Sequence, residues 1–173
     1  MNLANRLACL IVASCALLSG GWVTAQSESE RFHALLAEDW EYRLDEFPEF
    51  GTYVGRPGSN DRWTDVSRTA IERRKVYDRD VLARVRAIDR TALDAADRIN
   101  YDLFLRDAEE AVEGQRFPGE LMPVNQMGGV QQDLAQTLSN APARTVKDYE
   151  DLVARIRAAG PRIDQETALL KWG

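Results

Sequence analysis

The chain has 173 residues, 45% hydrophobic and 29% charged, with 22 Lys+Arg against 28 Asp+Glu and a formal net charge of −6. That length and balance suit one soluble domain with a sizeable core. An acidic surface with no Lys/Arg block repels a phosphate backbone, which argues against nucleic acid as a partner, and no P-loop, GxGxxG or CxxC pattern is present.

The first 25 residues stand apart. "MNLANR" carries one positive charge, "LACLIVASCALLSGGWV" is apolar, and "VTA" supplies small residues ahead of a cut after Ala25. That order predicts a secretory signal peptide, and so a periplasmic or secreted protein with no stable membrane span after cleavage. A retained span is the weaker alternative, because the apolar run is near the lower limit for crossing a bilayer and carries Gly20 and Gly21 near its end. Lipidation at Cys15, within "VASC", ranks lower still, since only a short apolar stretch precedes it. Both Cys9 and Cys15 fall inside this segment. Cleavage therefore leaves residues 26–173 without disulfides, thiolate metal sites or a cysteine nucleophile.

Past the signal the periodicity is helical, and the predicted class is all-α, a multi-helix array. Phe32, Leu35, Leu36, Trp40, Leu44 and Phe47 recur at helical spacing and predict one apolar stripe. Pro48 should end that helix, because the residue before a proline is driven out of the α region. "GRPGSNDRWTD" is a loop. Ser67 then caps a helix carrying Ile71, Tyr77, Val81, Leu82, Val85 and Ile88. Asp94 caps the next, with Tyr101, Phe104, Leu105, Ala108 and Val112 on one side, and Gly114 stops it. Ile99 and Leu103 lie on another side, which predicts burial over much of that helix's girth. The irregular "GQRFPGELMPVNQMGG" leads to a short helix bearing Leu134 and Leu138. Thr145, with Asp148 at the capping-box position, opens a helix striped by Tyr149, Leu152, Val153 and Ile156. "GP" at 160–161 should break it, placing Pro161 in the first turn of a last helix with Ile163, Thr167 and Leu170. That helix stops at "LLKWG" soon after starting, so the expectation is an amino-terminal segment of a larger domain.

His33 is the only histidine. A helical metal pair needs a second ligand three or four residues away, so that both point at one ion. Ser29, Glu30, Leu36 and Ala37 occupy those spacings, and only Glu30, expected in a frayed terminus, could ligate. A surface or half-buried histidine is the favoured reading, and no nucleophile-elbow pattern supports a serine triad. Glu38, Asp39, Glu41, Asp45 and Glu46 fall away from the apolar stripe and predict a solvated face, with Arg43 paired nearby. No catalytic and no metal-binding residue is assigned. "MPVNQMGGV" is the best candidate ligand-binding segment. Gly128 and Gly129 let backbone approach a ligand, Asn125 and Gln126 bring paired donors and acceptors, and the next helix start offers free N–H groups. The plainer alternative is a loop that needs positive φ, its amides satisfying its own backbone.

The succession "FPEFGTYVG", "NDRWTD", "INYDLF", "MPVNQMGGVQQDLAQTL" and "TVKDYEDLVARIRAAGPRIDQETALL" resembles the amino-terminal part of the bacterial family called domain of unknown function 885, from about Arg31 onward. The resemblance implies long, exported or lipid-anchored helical proteins that look like zinc metallopeptidases, with an HExxH helix and a further glutamate in the carboxy-terminal half. There two histidines one turn apart hold zinc while the glutamate between them activates water. This sequence has no HExxH, so none of those residues transfers to a position here. What is implied is a scaffold segment of a zinc-dependent peptidase or hydrolase, inactive alone and without a cofactor of its own. Its partner would be the missing carboxy-terminal half, which carries the zinc, and its substrate a peptide. The rival expectation is a complete small periplasmic helical protein that binds a ligand or partner without catalysis.

Overall fold

The computed structural model describes residues 26–173; the expected signal peptide, with Cys9 and Cys15, lies outside them. Helices α1 (Glu28–Glu46), α2 (Pro48–Tyr53), α3 (Arg68–Arg86), α4 (Ala95–Gly114), α5 (Val130–Asn140) and α6 (Val146–Leu170) follow in order, with 3-10 turns at Arg90–Ala92 and Gly119–Leu121. Among the described residues there is no strand, so the array is all-α. No described helix is long and apolar enough to cross a membrane.

The helix starts are set by side chains. Ser67, Asp94 and Thr145 each accept from the backbone N–H three residues on, satisfying a donor the helix itself leaves free, for about 1 kcal/mol apiece. Ser27 and Glu30 form a reciprocal capping box on α1, so Glu30 is fixed in the first turn rather than frayed. The chain does leave α1 before Pro48 but re-enters helix at once. Pro48 occupies the first position of α2, where its missing N–H would have had no intrahelical partner.

The break expected at Gly160–Pro161 does not occur, because α6 continues straight through Pro161. An interior proline removes one helix hydrogen bond and crowds the preceding turn, at about 3 kcal/mol. Tertiary contacts on both sides outweigh that loss: Asp151 and Arg155 are buried before the proline, Glu166 and Leu169 after it.

Helices α1, α3 and α4 pack as a bundle. α3 runs antiparallel to α1, with Glu46 paired to Arg73 towards one end and Glu38 to Arg84 towards the other. α4 returns alongside α1, where Phe32 meets Tyr101 and Phe104 edge-on at 5.9 and 6.3 Å. Phe32, Leu35, Val81, Val85, Leu93 and Tyr101 anchor the core, at about 1.5–3 kcal/mol for each large apolar side chain buried. Two expectations fail here. Asp39 is only 4% exposed while Trp40 is 47% exposed. Asp39 takes the inward position because Arg43 Nε donates to it at 2.6 Å, and burial together with that carboxylate pushes the neighbouring Tyr77 hydroxyl up. Trp40 instead lies edge-on against Phe50 of α2. Likewise Ile99 and Leu103 are exposed, so α4 buries one face only; α1 and α3 cover that side, and among the described residues no element covers the other.

The second layer, α2, α5 and α6, packs beside the carboxy-terminal end of α1. Here α6 inverts the expected amphipathy. Its buried positions include Asp151, Arg155 and Glu166, whereas Val146, Tyr149, Val153, Ile156, Ile163 and Leu170 are 42–77% exposed.

Candidate functional site

The second layer is organised around Arg155, a fully buried arginine at mid-helix. Residues 59–65 cross α6 as irregular chain, and their carbonyls need donors that no helix or strand supplies. Arg155 provides them. Its Nε donates to the Arg62 carbonyl at 3.0 Å, and Nη2 donates to the Ser59 carbonyl and, at 3.5 Å, to that of Pro48. The guanidinium also sits 5.3 Å from the Trp63 ring centroid, and the Trp63 indole N–H donates back to the Arg155 carbonyl at 2.7 Å. Burial pulls the arginine's proton affinity down, while Glu49 and Asp61 oppose that from a distance.

Three further contacts fix the same segment. Gln165 of α6 accepts from Val66 N–H and donates to Asp65, each at 3.0 Å. Glu49 of α2 accepts from Thr64 N–H at 3.0 Å and from the Thr64 hydroxyl. Gly51 lets α2 close on the buried Ser59, since a Cβ there would stand 2.8 Å from Ser59 Cβ. Trp63 and Thr64 are thereby presented on a braced platform.

That platform forms one wall of a cleft of about 650 Å³ between the end of α1, α2, α5 and α6, within the span of roughly 300–1,000 Å³ usual for small-ligand sites. Phe47, Phe50, Trp63, Val130 and Leu134 supply apolar surface. Arg43, Asp133 and Arg162 add charge. Arg162 pairs with the buried Glu166. Burial disfavours the charge of Arg43, but the bond from its Nε to Asp39, together with the negative charges of Asp39 and Asp78, more than offsets it. The half-exposed Arg43 side chain also lines the cleft. The lining hydroxyls are Thr64 and Thr137, and Thr64 is tied to Glu49 through both its N–H and its hydroxyl. That pair closes the loop. The lining presents apolar surface and charge for binding.

The residues singled out from sequence lie at the edge of this site. Asn125 Oδ1 accepts from Met127 and Gly128 N–H at 2.8 and 3.0 Å, and Asn125 N–H donates to the Gly128 carbonyl at 3.0 Å. Gly129 adopts φ 135°, a conformation that favours glycine, and its carbonyl receives the Gln132 and Asp133 N–H groups at the start of α5. Gln126 is exposed. These four residues do not line the cleft themselves, but they precede Val130, Asp133 and Leu134, which do. His33 meets Asp97 at 2.8 Å, with its own side chain 61% exposed. Among the described residues no group of three or more His, Cys, Asp or Glu is placed to hold a metal ion, so this donor set does not fit a zinc centre. Sequence reasoning missed Arg155, Trp63 and Glu49. The available signal was a tryptophan inside a turn-rich loop; Arg155 lies opposite the apolar stripe of its helix, where spacing predicts exposure.

Comparison with curated proteins and with solved structures gives no match. Residues 48–173 match the profile of a family described as bacterial protein of unknown function (DUF885). The matched stretch begins at the first residue of α2 and takes in the Trp63 platform, α5 and α6, so the walls of the cleft lie almost wholly within it. With well over half of its residues covered, the chain belongs to the DUF885 family.

Proposed function

We propose that residues 26–173 are the helical, substrate-holding scaffold of a larger exported, zinc-dependent hydrolase acting on peptides, with the HExxH helix and its zinc in a carboxy-terminal half. The observation that carries this reading is a cleft of about 650 Å³ walled by aromatic, aliphatic and charged side chains. Its aromatic and aliphatic surface suits a side chain, and Arg43 and Asp133 at its margin suit the charged ends of a short peptide. Asn125, Gln126, Gly128 and Gly129 set the start of α5, and in this reading they also reach the substrate from the rim. The same cleft serves a second reading, a small helical binding protein without catalysis.

The purified chain, tested with added zinc and with chelator, should cleave no peptide in a mixed library, while a subset of peptides should shift Trp63 emission, a signal lost in Trp63→Phe. Chelator-sensitive cleavage by the chain alone would overturn the scaffold reading. A reading frame that continues beyond codon 173 into HExxH supports the hydrolase, and a stop codon at that point supports the binding protein.

A further inference from the structure

The outward face of α6 has a pattern that the cleft does not use. Val146, Tyr149, Val153, Ile156, Ile163 and Leu170, with Gly160 and Thr167 in the remaining places, are spaced alternately by three and four residues. That is the seam of a two-helix coiled coil, and every one of these residues is exposed. Taking Val146, Val153, Gly160 and Thr167 as the first seam position, the flank that follows each second seam position holds Glu150, Arg157, Asp164 and Lys171. These alternate in sign and are all exposed. Within α6 the ion pairs are Lys147–Asp151 and Arg162–Glu166, and none of the four flanking charges takes part in an ion pair among the described residues.

We propose that two copies of this chain pair through α6, antiparallel, about a two-fold axis beside Gly160–Ile163. The charges select both the partner and the register. In an antiparallel coiled coil this flank meets its own counterpart on the second helix. When Gly160 is set against the partner's Ile163, Val153 faces the partner's Leu170 and Ile156 the partner's Thr167. Arg157 then meets the partner's Asp164, and Glu150 the partner's Lys171. The two-fold axis repeats each pair, so all four contacts join opposite charges. Sliding by one heptad in one direction brings Arg157 against the partner's Arg157 and Glu150 against its Asp164. Sliding in the other direction sets Asp164 against Asp164 and Arg157 against Lys171. A parallel pair would bring these charges against the other flank, where Leu152 and Ala159 offer nothing to pair with and Glu166 is buried against Arg162. Only one register satisfies the flank, and only a helix with this same charge order satisfies it fully.

The axis also falls where close approach is easiest. Gly160 has nothing within 4 Å of where a Cβ would stand, leaving room for the partner's Ile163. Pro161, whose ring could have obstructed the seam, projects from the adjoining position. The contact from Val153 to Leu170 runs for about 27 Å at the helical rise, and it is isologous, as a two-fold dimer requires. The inference does not depend on the cleft's function, since dimerisation and cleft binding use different faces of the second layer.

Sedimentation velocity of the purified protein across the micromolar range tests it by charge exchange. Wild type should be a dimer that weakens with added salt. Arg157→Glu and Asp164→Lys should each dimerise on the order of tenfold more weakly, because two attractive pairs become repulsive. Mixing those two variants should restore the dimer, since the two exchanged side chains then face each other with opposite charge, while the unaltered Asp164 of one chain faces the unaltered Arg157 of the other. Circular dichroism of each variant should match wild type. A monomeric wild type would overturn the proposal and assign the face to another segment or protein. So would single variants that associate like wild type, or a mixture that stays monomeric, even if the cleft binds its ligand normally.

Discussion

Arg155→Met tests whether the buried guanidinium holds the second layer together or is merely tolerated there. Two effects oppose each other. Methionine retains the apolar stem and removes the several-kcal/mol penalty of keeping a cation out of water, a penalty visible in the lowered proton affinity of Arg155. Against that, the Ser59 and Arg62 carbonyls lose their donor, and each stranded buried acceptor costs about 1–3 kcal/mol. The Pro48 carbonyl suffers less, because the Thr52 hydroxyl still donates to it at 3.0 Å. The Trp63 ring also loses the cation beside it, worth about 0.5–2 kcal/mol. Arg155 has no carboxylate in direct contact, so its removal strands no opposite charge, and the carbonyl losses should dominate. The net expectation is a loss of about 2–4 kcal/mol, a large share of a stability of about 5–15 kcal/mol.

Arg155→Ala should cost more, since it adds a cavity where the stem lay. Urea unfolding followed by circular dichroism measures the order wild type, methionine, alanine, and Trp63 emission should shift red in both variants as the platform loosens. A methionine variant as stable as wild type, with unchanged emission, would refute the reasoning and reduce Arg155 to a buried charge the fold endures.

Gly51→Ala should destabilise by about 1–3 kcal/mol through overpacking against Ser59, and adding Ser59→Gly should recover most of the loss in a thermal melt. The Asp97 carboxyl is held below its ordinary 3.8 chiefly by the hydrogen bond to His33. Its contribution to stability is therefore complete above pH 3.8 and fades as pH falls through the lower folded value. Asp97→Asn should flatten that limb of the melting-temperature profile, and an unchanged limb would assign the acid sensitivity elsewhere. Asn125→Ala with Gln126→Ala should weaken peptide binding several-fold, as expected for about 1 kcal/mol per lost hydrogen bond, with the melting temperature within a few degrees. A large stability loss at unchanged affinity would give the loop a purely structural role. Intact mass of protein recovered from the periplasm should begin at Gln26; retained Met1 or a lipid on Cys15 would contradict export by simple cleavage.

The bundle of α1, α3 and α4 is readable from sequence because its determinants are local. Ser67 and Asp94 announce α3 and α4, and Val81, Val85, Tyr101 and Ala108 lie inward as their spacing requires. What escapes are the decisions taken between elements. Asp39 and Trp40 are adjacent in sequence, and spacing cannot say that Arg43 will draw the carboxylate inward while Phe50 receives the indole outside. Pro161 reads as a stop because the cost of an interior proline is local, whereas the contacts that override it come from residues nearly a hundred positions away, such as Val66 to Gln165. The cleft is invisible for the same reason. Its walls combine residues from α1, α2, the 59–65 loop, α5 and α6, and none of them forms a short motif.

Helix α6 shows why a period alone does not give an orientation. Its apolar residues repeat as cleanly as those of any core helix, and such a pattern names a face without saying what that face meets. The inner side is decided by its neighbour. Residues 59–65 bring bare carbonyls and a tryptophan to the contact, not a row of leucines, so a donor-rich arginine fits where an aliphatic side chain would strand acceptors. With Asp151, Arg155 and Glu166 turned inward, geometry leaves the aliphatic positions facing out. The exposed seam is thus a direct consequence of how the cleft wall is braced. A sequence that replaced Arg155 with leucine would have to supply a different loop at 59–65, and it would then lose both the Trp63 platform and the reason for α6 to show its apolar stripe to a partner.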